Sequence, residues 1–194
     1  MVRSPSRRTT PFGDRFTLFA ECLLVGVLVT VAMVPLITVL PAFAAGCAHL
    51  RAHLDEEDTS IRAWGERFRA ALRGSWMVSL AGLGVLLLFW LDLAISQAGL
   101  PGGNLVAAVC GLGILALVVV GSRAAATWRP GADWRGLVRQ AAHRATSDLS
   151  GSLLVVFGLF IVVVVTWQLP VLLIPALGCL ALALVAVERR AGVS

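Results

Sequence analysis

Charged residues divide this chain into long apolar runs, and the runs predict membrane-spanning helices. The uncharged runs cover 22–48, 74–91, 93–122 and 149–187. An apolar run of about 18 residues or more can cross a bilayer as a helix. No run alternates between apolar and polar positions as a strand does, and backbone groups in lipid must find partners within the protein. The pattern therefore predicts an all-α, polytopic transmembrane helical bundle.

Turn signals divide the longer runs. As one helix, 149–187 would reach about 58 Å, roughly twice a hydrocarbon core of about 30 Å, so we predict a break at TWQLP, 166–170. The run 93–122 contains the turn signal PGGN at 101–104. We therefore predict a single integral membrane domain with about five spans, at 16–48, 75–92, 105–121, 150–167 and 170–187.

The first predicted span is interrupted in its own middle by Pro35 and Pro41. Each proline removes a backbone donor and crowds the carbonyl four residues earlier. Pro41 suits the first turn of a new helix, and Thr38 could donate its hydroxyl to a carbonyl freed between the prolines. We predict a broken helix and leave two threadings open: the segment crosses once, or it is re-entrant and returns to its starting side.

All 16 basic residues are arginine, and their positions orient the spans. Arginines occur in the tail 1–15, in the loops 49–74 and 122–149 and at the C-terminus, whereas the turns 91–104 and 166–170 have none. Loops rich in arginine stay in the cytoplasm. We predict a multi-pass protein of the cell (cytoplasmic) membrane with both long loops and the C-terminus cytoplasmic, the side of the N-terminus depending on the threading.

Composition agrees with a lipid environment. Hydrophobic residues make up 58% of the chain and charged residues 14%, against about a quarter charged in soluble domains, and the mean hydropathy is +0.88. The formal charge of +5 lies in short loops beside the spans rather than in a basic domain. We therefore predict the lipid bilayer as a partner and no nucleic acid.

Both long loops carry helical apolar stripes, and the sequence predicts two amphipathic cytoplasmic helices. The first stripe recurs at steps of three and four residues through Ile61, Trp64, Phe68 and Leu72. The second stripe consists of Trp134, Leu137, Val138, Ala141, Ala145 and Leu149. Each helix is interpreted either as lying on lipid headgroups or as docking a partner. The first stripe is our candidate docking surface.

A run of motifs from the first span onward resembles the YesL-like family of bacterial membrane proteins, a domain of unknown function. The motif P-x-x-T-x-x-P-A is present as Pro35, Thr38, Pro41 and Ala42, followed by Ala44 and Ala45 and by the charged loop DEEDTSIRAWGERFRAAL. Also similar are Asp92 after the second span, the pair Pro170 and Pro175, and a last span ending in Arg189 and Arg190. The resemblance covers nearly the whole chain. It implies an accessory role in carbohydrate uptake, with a sugar ABC permease or its ATPase as the partner.

Few side chains are candidates for chemistry. His49 and His53 share a helix face in HLRAH and are a weak metal candidate, so we predict no metal site. Asp92 is the candidate intramembrane carboxylate, either an ion or proton site or a side chain solvated at the end of its span.

The sequence predicts that the protein is not an enzyme and needs no cofactor. The absence of lysine from the sequence excludes Walker-type phosphate loops and Schiff-base sites, and no serine lies in a G-x-S-x-G motif. Three functions stay open: an accessory or regulatory subunit, a small transporter or channel, and a structural or assembly factor. The oligomeric state is not predicted.

Overall fold

In the computed structural model, residues 11–55, 57–96 and 103–191 are described, with residues 11–15 and 191 described by their backbone alone. Every regular element in these ranges is helical, which confirms the all-α prediction. The helices are α1 (Pro11–Ala32), α2 (Val39–Leu54), α3 (Ile61–Ser96), α4 (Gly103–Thr127), α5 (Trp134–Ser147), α6 (Leu149–Gln168) and α7 (Leu173–Ala191), with short 3₁₀ turns at Leu36–Thr38 and Pro170–Leu172. Most of the predicted tail 1–15 and half of the predicted turn 101–104 lie outside the described residues.

Four helical segments are long and apolar enough to cross a membrane: Ile61–Ser96, Gly103–Thr127, Leu149–Gln168 and Pro170–Arg190. Their outer surfaces expose large apolar side chains such as Leu112 and Phe157, which lipid can solvate and water cannot. The fold is therefore an all-helical bundle with four helices able to span a membrane. The predicted count of five spans is not confirmed, because the apolar part of α1, Phe16–Ala32, is shorter than the others.

The first apolar segment is broken between its two prolines. Helix α1 ends at Ala32, a 3₁₀ turn follows, and α2 begins two residues before Pro41. The Thr38 hydroxyl lies 2.5 Å from the Ala32 carbonyl oxygen and 2.6 Å from that of Pro35. The hydroxyl thus serves the Ala32 carbonyl at the end of the interrupted helix and the Pro35 carbonyl, which also accepts from the Thr38 amide at 2.9 Å.

Helices α1 and α2 are antiparallel, so the broken segment returns to the end of the bundle at which it began. Gly46 of α2 lies against Val25 and Val29 of α1, while Glu21, earlier in α1, lies beside His49 and His53, later in α2. This pairing corresponds to the re-entrant threading of the two that the sequence left open.

The other long helices form two further antiparallel pairs. Gly113 of α4 lies against Phe89 of α3, and Gly158 of α6 lies against Leu180 of α7. Contacts between Arg189 and Asp55 and between Arg123 and Asp148 bring the ends of these helices together. We call this end of the bundle the polar face. It comprises the ends of α2, α4 and α7, the starts of α3 and α6, and all of α5.

Helix α3 corrects the prediction of a separate amphipathic helix in loop 49–74. Helix α2 continues to Leu54 and α3 begins at Ile61, so residues 61–74 are the first turns of a 36-residue helix that continues to Ser96. Gly74 does not end the helix. It provides room for the ring of Trp134, which a side chain at this position would meet.

Helix α5 is the second predicted amphipathic helix, and its apolar side packs largely on the protein itself. Asp133 caps its first turn by accepting hydrogen bonds from the amides of Arg135 and Gly136. Trp134 is buried and stacks on Trp128 with ring centroids 6.0 Å apart. The stripe of α5 therefore covers the polar face of the bundle and, at Trp134, does not lie on lipid.

Two glycines allow α1 and α7 to approach closely, and a methyl group at either would separate the helices. A Cβ on Gly26 would overlap the Ile174 carbonyl oxygen, and one on Gly178 would overlap that of Cys22. We expect Gly26→Ala to lower the melting temperature in detergent by about 3 to 10 °C, from roughly 1–3 kcal/mol of overpacking. The control Gly82→Ala has open space around it and should leave the temperature unchanged or raise it. Equal melting of the two variants would refute this packing.

Candidate functional sites

The most extensive set of polar contacts surrounds Arg123, near the end of α4. Its side chain is 1% exposed. The guanidinium donates to the Asp148 carboxylate at 2.9 Å, to the Glu188 carboxylate at 2.9 Å and to the Ser152 hydroxyl at 3.0 Å. A charge this deeply buried is tolerated because it is paired and its donors are satisfied.

A second arginine extends the network to α5. Arg144 donates to the other oxygen of the buried Glu188 carboxylate at 3.0 Å. Two guanidinium groups and two carboxylates are thus assembled, with no net formal charge. The network connects α4, α5, α7 and the start of α6, and it holds the polar face together.

Asp148 has two roles at the start of α6. One oxygen accepts from the Gly151 amide at 2.9 Å as a helix cap, and the other accepts from Arg123. The hydrogen bond from Gly151, followed by that from Arg123, holds the pKa of Asp148 below its usual value. The carboxylate therefore stays charged, and available to Arg123, at a lower pH than a free aspartate does.

Separate contacts attach α2 to the same face. Arg51 donates to the Trp128 carbonyl oxygen at 2.5 Å, which joins α2 to the segment after α4. Arg189, near the end of α7, pairs with Asp55, directly after α2, at 2.7 Å. The hairpin of α1 and α2 is therefore fixed to the rest of the polar face by arginines.

A carboxylate–histidine cluster lies between α1 and α2. Nε2 of His49 is 3.4 Å from one Glu21 oxygen, and Nδ1 of His53 is 3.8 Å from the other. His49 is fully buried, while the side chains of Glu21 and His53 are 20% and 22% exposed. In the described parts of the chain, no group of three or more His, Cys, Asp or Glu side chains is placed to hold a metal ion.

The candidate docking residues on α3 differ in accessibility. Trp64 is buried and stacks on Phe68 with ring centroids 5.3 Å apart, whereas Ile61 is 62% exposed. Phe68 and Leu72 are half-buried. They form the apolar floor of a shallow open hollow whose remaining lining residues are Arg62, Gly65, Glu66 and Arg69.

The remaining candidate residues are dispersed through the bundle. Pro41 and Ala42 are buried in the first turn of α2. Pro170 begins the second 3₁₀ turn, and Pro175 lies in the first turn of α7. Asp92 lies in the last turns of α3, far from the polar face and partly exposed. These residues do not form one site.

Sequence reasoning missed the Arg123 network and the pairing of Glu21 with the histidines. Arg123 and Glu188 are separated by 65 positions, and each looked like a charge flanking a span. The sequence could have predicted that Glu21 lies beside His49 only through the re-entrant threading, which it left open as one of two alternatives.

Comparisons with known proteins give no match. No family model matches the chain, and the searches of curated proteins and of solved structures found no match either.

We expect Arg123→Gln to destabilise the protein by about 3–5 kcal/mol, because it leaves the Asp148 carboxylate without its arginine and Glu188 with one of its two. Unfolding in mixed micelles at increasing SDS measures the change. The control Arg62→Gln removes an exposed i,i+4 pair with Glu66 and should change stability by less than about 0.5 kcal/mol. A similarly small effect of Arg123→Gln would contradict the assigned role of the network.

Proposed function

We propose that this chain is an accessory or regulatory subunit of a bacterial inner-membrane complex that docks a partner through the first turns of α3. The partner class, a sugar ABC permease or its ATPase, comes from the resemblance of the segment around Pro35, Thr38 and Pro41 to the YesL-like proteins. The docking surface itself is argued from the geometry of α3.

The length of α3 supports a docking role. Its 36 residues extend about 54 Å, whereas a hydrocarbon core is about 30 Å thick. Apart from Asp92 near its end, the charged residues of α3 lie between Arg62 and Arg73, and the apolar part of the helix follows Gly74. The first third of α3 therefore extends beyond the lipid at the polar face, where a partner protein in the aqueous phase can contact it.

The surface of that first third carries the proposal. Ile61 is exposed, and the half-buried Phe68 and Leu72 lie in a hollow with charged residues around it. Apolar side chains surrounded by a polar rim are typical of protein–protein interfaces. Trp64 contributes from inside the protein, because its stacking on Phe68 fixes the orientation of that ring.

The distribution of arginine supports a cytoplasmic polar face. Arg51, Arg123, Arg144 and Arg189 all make their contacts at this end of the bundle. Since arginine-rich loops are retained in the cytoplasm, we place both long loops and the C-terminus there. The antiparallel pairing of α1 and α2 supports the same side for the start of α1.

We expect Phe68→Glu to abolish co-purification with the subunits of a sugar ABC transporter from native membranes in mild detergent. A buried carboxylate in the apolar centre of an interface has no partner and is strongly unfavourable. Mass spectrometry of the purified complex is the measurement. The matched control, Ala70→Glu, introduces the same charge two residues away at an exposed position, about 200° around the helix.

The control should keep the partner bound. Retention of the transporter by Phe68→Glu would refute the docking surface. Purification of the wild-type chain with no transporter subunit would refute the partner class.

A further inference from the structure

We infer that Glu21, His49 and His53 form a proton-binding site inside the hairpin of α1 and α2, reached from the polar face through His53. The two imidazoles lie one helical turn apart on the same face of α2. Each oxygen of the Glu21 carboxylate faces one of them, at 3.4 Å and 3.8 Å. One acceptor group from α1 therefore lies against two bases from α2.

The burial of His49 indicates which ligand the site takes. Both of its ring nitrogens and the facing Glu21 oxygen are buried and, among the described residues, have no hydrogen-bond partner. Leaving such groups unpaired in the interior is costly. A hydrogen on Nε2 of His49 removes part of that cost once the 3.4 Å gap closes slightly. The neutral ring provides it only in the tautomer with the hydrogen on Nε2, whereas the imidazolium always provides it and makes the hydrogen bond to the carboxylate charge-assisted.

The difference in solvent exposure among the three side chains provides an entry route for a proton. His53 and Glu21 are about one-fifth exposed, whereas His49 is sealed from solvent. A proton from water first binds the accessible ring of His53 or the carboxylate, and then His49. The net change is one N–H bond formed on His49 and one O–H bond of hydronium broken. A group that passes the proton on returns to its original state.

The other elements around the site contribute one further charge. Arg67 of α3 acts electrostatically on His49 and donates to the Asp58 carbonyl oxygen. From α2 the facing titratable group is His53, and from α1 it is Glu21. Burial of the ring holds the pKa of His49 below its ordinary value, the Glu21 carboxylate counteracts that shift by favouring an imidazolium, and Arg67 adds to it. Proton binding strengthens the contact of α1 with α2, so the packing of this hairpin depends on the pH at the polar face.

The test is a pH titration of ¹⁵N-histidine-labelled protein by NMR in detergent with a chelator present. The chain has three histidines, and the third, His143, is exposed on α5 and serves as an internal reference. We expect Glu21→Gln to make His49 bind its proton at a lower pH, because the variant removes the negative charge that favours the imidazolium. His143 should not change.

The control variant Glu66→Gln removes an exposed carboxylate of α3 and should leave all three titrations unchanged. Unaltered titration of His49 in Glu21→Gln would overturn the inference. The wild-type protein gives a second readout that does not depend on the variant folding. Groups that share a proton titrate in common macroscopic steps, so the His49 curve should show two steps. Three independent single-step curves would equally refute the site.

Discussion

A guanidinium group buried inside the protein is costly unless it is paired, and the structure depends on how the buried Arg123 meets this constraint. Its partners come from elsewhere in the chain: Asp148 and Ser152 at the start of α6, and Glu188 near the end of α7. Satisfying one arginine therefore fixes the relative positions of three helix ends. Arg144 adds α5 through the same glutamate.

This constraint explains the arrangement of the remaining polar groups. Each antiparallel pair of helices starts and ends at the polar face, so charges gather there and the apolar surfaces are left to lipid. The hairpin of α1 and α2 follows the same rule, with Thr38 satisfying carbonyl groups at its tip and Arg51 holding its open end. Both surfaces to which we assign a function, the first turns of α3 and the Glu21 cluster, lie at this end of the bundle.

Local features of the sequence predicted the local features of the fold. Apolar length predicted the four long helices, and proline predicted the breaks after Ala32 and after Gln168. The continuity of α3 was missed because its composition changes near Gly74, where the helix passes from a polar surrounding into lipid without ending. The contacts of Glu21 with His49, and of Arg123 with Glu188, depend on tertiary pairing, which a single sequence leaves open.

We propose that every helical pair, including the broken first one, returns to a single face of the bundle and that this face is cytoplasmic. The most direct measurement is the sidedness of both chain ends, with green fluorescent protein and alkaline phosphatase fused in turn to the N-terminus and to the C-terminus. We expect fluorescence without phosphatase activity at both ends. Phosphatase activity at the N-terminus together with fluorescence at the C-terminus would contradict it, because the first segment would then cross the membrane once.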